Sequence, residues 1–169
     1  MSEISLRLAT RADLPAIVAI YNSTIAGRMV TADLEPVSVA SREDWFAAHS
    51  PDRRPLWVAE QDGHMLGWIS LSDFYGRPAY NGTAEVSIYL DEACRGRGLG
   101  RRLLQEAIER APAYGVDTLL GFIFGHNAAS MKLFQHFGFA EWANLPQVAV
   151  LDGVRRDLII LGKKLAPHS

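Results

Sequence analysis

The chain has 169 residues, 49% hydrophobic and 21% charged, enough for one globular domain with a real apolar core. A net charge of −2 excludes a chain built to coat nucleic acid or an anionic membrane, and a single cysteine, Cys94, excludes an internal disulfide. No apolar run approaches the ~18 residues of a membrane span, and the opening MSEISLRLATRADL is charged where a secretory leader would be apolar; these features point to the cytoplasm.

No repeat, low-complexity tract or linker divides the chain, so residues 1–169 read as one domain. Ile4–Ala9 alternates apolar and polar residues as a half-buried strand does. Thr10 with Asp13 reads as a weak capping box for a helix that carries Leu14, Ile17, Val18 and Tyr21 on one face. Ser41 with Asp44 repeats the capping signal before a short helix around Trp45 and Phe46. Leu56–Leu71 reads as two strands about the turn Asp62-Gly63, and Thr83–Leu90 as another.

A glycine-rich turn follows, then a helix marked by Leu103, Leu104, Ala107, Ile108 and Ala111 and stopped near Pro112 and Gly115. Val116–Phe124 reads as a mostly buried strand. Asn127 caps a short helix ending at Gly138, and residues 147–161 form a hairpin on Asp152-Gly153. The order β-α-α-β-β-β-α-β-α-β-β implies an α/β (α+β) fold, a mixed but largely antiparallel sheet flanked by helices.

The turn between the fourth of these strands and the third of these helices holds the densest chemical signal: Cys94-Arg95-Gly96-Arg97-Gly98-Leu99-Gly100-Arg101-Arg102. The first N–H groups of a helix lack internal partners, and the helix dipole adds positive potential there. Glycines let the backbone wrap an anion closely, and Arg95, Arg97, Arg101 and Arg102 add charge and forked donors. The expected ligand is therefore a di- or triphosphate-like anion. A P-loop is excluded because no lysine follows Gly100, and the spacing G-x-G-x-G departs from the dinucleotide fingerprint G-x-G-x-x-G.

The run R-G-R-G-L-G-R-R-L-L resembles the pyrophosphate-binding turn of the GCN5-related N-acetyltransferases, and HNAASMKLFQHFGF (residues 126–139) resembles their N-x-x-[AS]-x-x-[FL]-x-x-x-x-G-F segment. Three further stretches, IYNSTIAGRMVTADLEPVS, FYGRPAYNGTAEVSIYL and DGVRRDL, resemble the phosphinothricin / methionine sulfoximine branch of that family.

The resemblance implies the family's fold and transfer of an acetyl group from acetyl-CoA to the amine of a small amino-acid-like substrate. Transfer would be by direct attack in a ternary complex, without a metal. It implies a cradle of Arg95, Gly96, Arg97, Gly98, Leu99, Gly100 and Arg101 for the CoA phosphates. Ile88, Tyr89 and Leu90 would pair through their backbone with the pantetheine amides, and Asn127 and Ser130 would lie along the same arm. It also implies a homodimer in which loops of one subunit shape the other's pocket.

An amino acid's amine is mostly protonated at neutral pH and needs a base. Taken alone, a strand glutamate is as readily a surface ion-pair partner, but Glu85 matches the family glutamate that draws off the proton. Burial there is expected to raise its pKa. Arg77 is the expected binder of an anionic substrate group, with Phe74, Tyr75 and Tyr80 as pocket walls and Ser87 as a further substrate contact; any one of these aromatics read alone is packing.

A polyamine would call for an acidic pocket, and an aminoglycoside or protein N-terminus are further alternatives within the enzyme class. A non-catalytic CoA-binding regulatory module would keep the turn and lose Glu85. One position departs from many relatives: seven residues after Asn127 stands Phe134, where they carry a tyrosine that protonates the leaving thiolate. Cys94 has no histidine at a nucleophile-partner spacing, and the five histidines form no metal-binding pattern.

Overall fold

The computed structural model describes residues 3–94 and 96–165. Its strands are β1 (Ser5–Leu8), β2 (Leu56–Gln61), β3 (His64–Asp73), β4 (Thr83–Leu90), β5 (Thr118–Phe124), β6 (Ala140–Leu151) and β7 (Val154–Lys164). Four α-helices join them: α1 (Leu14–Ser23), α2 (Glu43–Ala47), α3 (Leu99–Arg110) and α4 (Ala128–His136). They form one mixed sheet of order β1-β2-β3-β4-β5-β7-β6, antiparallel at every pairing except β4 with β5. The element order matches the one expected from the sequence.

Strand alternation sorts the side chains to two faces. Trp57, Ala59, Ile69, Leu71, Ala84 and Val86 pack with Leu99, Leu103, Leu104 and Ala107 of α3 and Phe134 of α4. Leu56, Val58 and Trp68 pack on the other face with Ile17 and Ile20 of α1, joined by Trp45, Phe46 and Tyr89. Leu103 and Leu104 are fully buried, and each burial of this kind contributes about 1.5–3 kcal/mol. Both two-residue hairpin turns form with positive φ at each centre: Asp62 and Gly63, and Asp152 and Gly153.

Two local expectations are corrected. Ser41 caps nothing; its backbone N–H instead donates to the Ser38 hydroxyl at 3.1 Å, so the capping side chain stands three residues earlier. The strand expected to begin near Gln147 begins at Ala140 and carries register shifts at Glu141/Ala143 and Leu145/Ala149. Pro146 and a left-handed Gln147 (φ 54°) break the alternation, which an edge strand tolerates.

The feature that positions the site is the parting of β4 and β5. Their parallel pairing runs only from Thr83↔Thr118 to Glu85↔Leu120, while β4 continues to Leu90 and β5 to Phe124. Beyond Glu85 the two strands splay, and a wedge opens in the middle of the sheet.

Candidate active site

The wedge is a cleft of about 550 Å³. Glu85, Ser87, Ile88, Tyr89 and Leu90 of β4 form one wall, and Phe122 and Phe124 of β5 stand opposite. Asn127 at the mouth of α4 and Ser130, Leu133 and Phe134 within it lie along the same cleft. Gly100 lines its far end, where α3 begins, and Met29, Val30, Thr31 and Ala32 close it from the segment after α1.

The glycine turn has the backbone expected of it. Gly96 (φ 78°) and Gly98 (φ 75°) are both left-handed, and Gly98 is the cap from which α3 starts. A Cβ on Gly100 would stand 3.3 Å from Leu133 Cδ2, so the third glycine lets α3 approach α4. Arg97 and Arg101 are exposed and have no hydrogen-bond partner among the described residues. Leu99 is buried in the core, so it anchors the turn from below. Arg102 is turned elsewhere: it donates to the Ile4 carbonyl at 2.7 Å. Arg95 lies outside the described residues.

Asn127 is 3% exposed and holds two segments together. Its Oδ1 accepts from Ser130 N–H at 3.2 Å, which caps α4, and its Nδ2 donates to the Met29 carbonyl at 3.2 Å. Beside it His126 Nε2 donates to the Arg28 carbonyl at 2.8 Å. The start of α4 thus fixes the loop that forms the opposite wall of the cleft. Phe134 packs on β5 at Gly121, where an added Cβ would come within 2.5 Å of its ring, so the ring fills space that only a glycine leaves.

A second cavity, of about 140 Å³, opens on the face of the sheet covered by α1 and α2. Its walls are Tyr21, Trp45, Trp68 and Tyr89, its floor carries the hydroxyls of Ser70, Ser72 and Ser87, and Arg42 supplies a guanidinium. The Trp68 and Tyr89 rings stack with centroids 4.7 Å apart, and Trp45 meets Trp68 edge-on at 5.3 Å. Ser87 and Tyr89 line both cavities, so the two spaces meet at β4. The register Ser72↔Glu85, Ser70↔Ser87 and Trp68↔Tyr89 puts Glu85 on the same face as this second floor.

Glu85 has no side-chain hydrogen bond among the described residues, and burial alone pushes its carboxyl above the usual carboxylate range. Burial also holds the Tyr89 phenol well above its ordinary value, and its hydroxyl makes a long 3.5 Å contact to the Val30 carbonyl beside the Thr31 side chain. An unpartnered, half-buried carboxylate at the junction of two cavities is suited to accept a proton from a ligand that bridges them.

The structure therefore brings Glu85, Ser87, Ile88, Tyr89, Leu90, Gly100, Asn127 and Ser130 together, with Gly96, Arg97, Gly98 and Arg101 in and beside the turn that opens α3. It does not bring Phe74, Tyr75, Arg77 and Tyr80 to either cavity of the same chain. These residues lie on the loop between β3 and β4, where the three rings pack on one another and Tyr75 is 77% exposed. Buried Arg54 donates to Asp73 Oδ1 at 2.7 Å and to the Asn81 carbonyl at 2.6 Å, pinning both ends of that loop. The sequence reading passed over Arg42, Tyr21, Trp45, Trp68, Ser70 and Ser72. The available signal was W-I-S-L-S in β3, where hydroxyls recur with period two along an otherwise apolar strand.

Among the described residues, no group of three or more His, Cys, Asp or Glu could hold a metal ion, and no helix is long and apolar enough to cross a membrane. Cys94 is buried.

The Acetyltransferase (GNAT) family matches residues 15–139. The chain is 59% identical over 164 residues to the Bacillus subtilis (strain 168) protein named "Putative phosphinothricin acetyltransferase YwnH", covering 96% of this chain and 100% of the relative. It is 37% identical to the L-methionine sulfoximine/L-methionine sulfone acetyltransferase of Pseudomonas aeruginosa, over 96% of this chain and 95% of the relative. Among solved structures, a phosphinothricin acetyltransferase of Sinorhizobium meliloti in complex with AcCoA superposes with a TM-score of 0.90 at 29% identity, over 96% of this chain and 88% of that one.

Proposed function

The chain belongs to the GNAT acetyltransferase family, an acetyl-CoA-dependent N-acetyltransferase by that membership, and on this premise we propose that it acetylates the α-amine of a small amino acid of the phosphinothricin, methionine sulfoximine or methionine sulfone type. The observation that carries the reading is the junction at β4: a long cleft and a small aromatic cavity share Ser87 and Tyr89, and Glu85 stands where they meet.

The long cleft fits acetyl-CoA. Its walls are an unpaired strand edge and apolar side chains, suited to an extended amide-bearing arm, and its end is a turn of left-handed glycines with the free guanidinium groups of Arg97 and Arg101 nearby. Acetyl-CoA supplies the activated acyl carbon and a thiolate leaving group. Backbone groups of Ile88, Tyr89 and Leu90 hold the arm and orient the thioester carbonyl, Asn127 and Ser130 lie beside it, and the turn from Arg95 to Arg101 receives the phosphates.

Glu85 takes a proton from the substrate's ammonium group. The neutral amine then forms the N–C bond as the C–S bond breaks, the nitrogen passes its second proton to water, and Glu85 releases the first to solvent. Phe134 has no proton to give, so the leaving thiolate is protonated by water.

We assign the loop that carries Phe74, Tyr75, Arg77 and Tyr80 to the pocket of a second copy in a homodimer. What supports this is its outward presentation from a pinned base, with Arg77 exposed beside three clustered rings. The protein acts as one domain in the cytoplasm, where such an activity detoxifies inhibitory amino-acid analogues and confers resistance to them.

The test is identification of the N-acetylated product from acetyl-CoA with phosphinothricin, methionine sulfoximine, methionine sulfone, spermidine and a short peptide. Acetylation confined to the first three is expected. Acetylation of spermidine or peptide alone would overturn the substrate assignment.

A further inference from the structure

The small cavity under α1 and α2 contains a cation that the transfer chemistry does not use. Arg42 is 27% exposed at its side chain and is fixed from two sides. Its Nη2 donates to Asp33 Oδ2 at 3.0 Å, and its guanidinium carbon lies 4.8 Å from the centre of the Tyr21 ring. Asp33 in turn accepts from the Tyr21 hydroxyl. Asp33 is thus committed to two partners, while the remaining N–H groups of Arg42 have no hydrogen-bond acceptor among the described residues. A fork held rigid on one side with donors to spare on the other is pre-organised for a ligand's oxygen atoms.

The rest of the cavity specifies what carries those oxygens. The rings of Tyr21, Trp45, Trp68 and Tyr89 suit an apolar stem two or three carbons long. On the floor, the Ser70 and Ser87 hydroxyls have no partner among the described residues, and either can donate. Ser72 is occupied. His49 Nδ1 faces the Trp45 carbonyl at 2.9 Å and must donate there, so its Nε2 accepts from the Ser72 hydroxyl at 3.3 Å. At about 140 Å³ the cavity holds several waters' worth of space, where a water's share is ~30 Å³.

The position of Arg42 relative to Glu85 selects the end of the substrate it meets. Among the described residues no arginine forms an ion pair with Glu85, and Arg42 is paired with Asp33 instead. An α-carboxylate lies two bonds from the amine that Glu85 deprotonates; a group held by Arg42 lies further along the molecule.

We propose that Arg42, with the hydroxyls of Ser70 and Ser87, forms a side-chain specificity subsite that binds the terminal oxygens of the amino acid's side chain (the tetrahedral sulfonyl, sulfoximine or phosphinyl group). This rests on the amino-acid acetyltransferase reading and deepens it: Arg42 selects substrates whose side chain ends in hydrogen-bond-accepting oxygens over the parent thioether. Arg77, delivered by the second copy, is left for the α-carboxylate.

The decisive pair of substrates is methionine sulfone and methionine, which share a skeleton and differ in the two sulfur-bound oxygens. In the wild type kcat/KM favours the sulfone. Arg42→Met is expected to collapse that preference by ~10–100-fold, mainly through the KM of the sulfone, with a loss on methionine at least ~10-fold smaller. Arg42→Lys keeps the charge but loses the fork, and falls between. Equal losses on both substrates would make Arg42 merely structural and overturn the proposal; so would an unchanged preference in both variants.

Trp45 and Trp68 line the cavity, so quenching of their fluorescence in the presence of CoA reads binding without turnover. If methionine sulfone quenches and Arg42→Met abolishes the effect while no transfer occurs, the subsite stands and the transferase assignment falls. If transfer proceeds with no preference for the sulfone, the subsite falls alone.

Discussion

The two cavities that meet at β4 are built in opposite ways. The cleft proposed for acetyl-CoA is made of backbone: a splayed strand edge, a left-handed glycine turn and the start of α4. The small cavity is made of side chains drawn from α1, α2, β3, β4 and the segment between the helices. A backbone site demands particular residue types at fixed short spacing, because only glycine lowers the cost of left-handed turns and close approach. A side-chain site demands only that distant residues converge. Conserved chemistry can thus rest on the first while substrate choice is retuned in the second without disturbing it.

This difference decides what the sequence disclosed. Gly96, Gly98 and Gly100, Asn127 and the strand carrying Glu85 were legible because each lies in a compact run with its own physical signature. The strand order, both Asp-Gly hairpins and the helix from Leu99 were legible for the same local reason. Arg42 was not, since nothing in A-S-R-E-D-W says that this arginine faces Ser70, 28 residues on and across a helix–sheet interface. The bulged half of β6 was hidden by Pro146, and Arg77 lies at neither cavity of its own chain, which no local pattern around it discloses.

The largest effect is expected at the junction itself. Glu85→Gln is expected to lower kcat/KM at neutral pH by about 10²–10⁴-fold, while calorimetry finds acetyl-CoA binding retained. The same substitution has a stability signature. Burial raises the Glu85 pKa in the folded state, so the folded protein binds that proton more tightly than the unfolded chain. Below the unfolded value the carboxyl is protonated in both states and its ionisation penalises neither. As the pH rises through the folded pKa, the native state bears the cost of a buried charge. Glu85→Gln should therefore gain Tm over the wild type toward neutral pH and lose that gain in acid, as thermal melts across pH would show.

A perturbation confined to the backbone-built side comes next. Gly98→Val forces a β-branched residue to φ 75° at the cap of α3. The KM for acetyl-CoA should rise by roughly tenfold or more, with the amine's KM little changed and a lower Tm of the size that ~1–3 kcal/mol of strain produces. Equal effects on both substrates would show that the two cavities are not separable in this way.

Exposed charges sharpen the picture further. Arg101→Ala should raise the acetyl-CoA KM by only about 2–5-fold, and the difference should shrink as salt increases, because exposed ion pairs are weak and screened. The smallest change is expected from Phe134→Tyr. With the ring seated on Gly121, the added hydroxyl is expected to alter kcat by less than about threefold; a large gain would show that protonation of the thiolate by water limits the wild type.

The central claim, that Glu85 at the meeting of the two cavities takes the amine proton, is tested most directly by the pH profile of kcat/KM for methionine sulfone in the wild type and in Glu85→Gln. The wild type should show an ionisation limb above the ordinary carboxylate range and below that of the amine, and the variant should lack it at a greatly reduced rate. The same limb persisting in Glu85→Gln at an undiminished rate would contradict it.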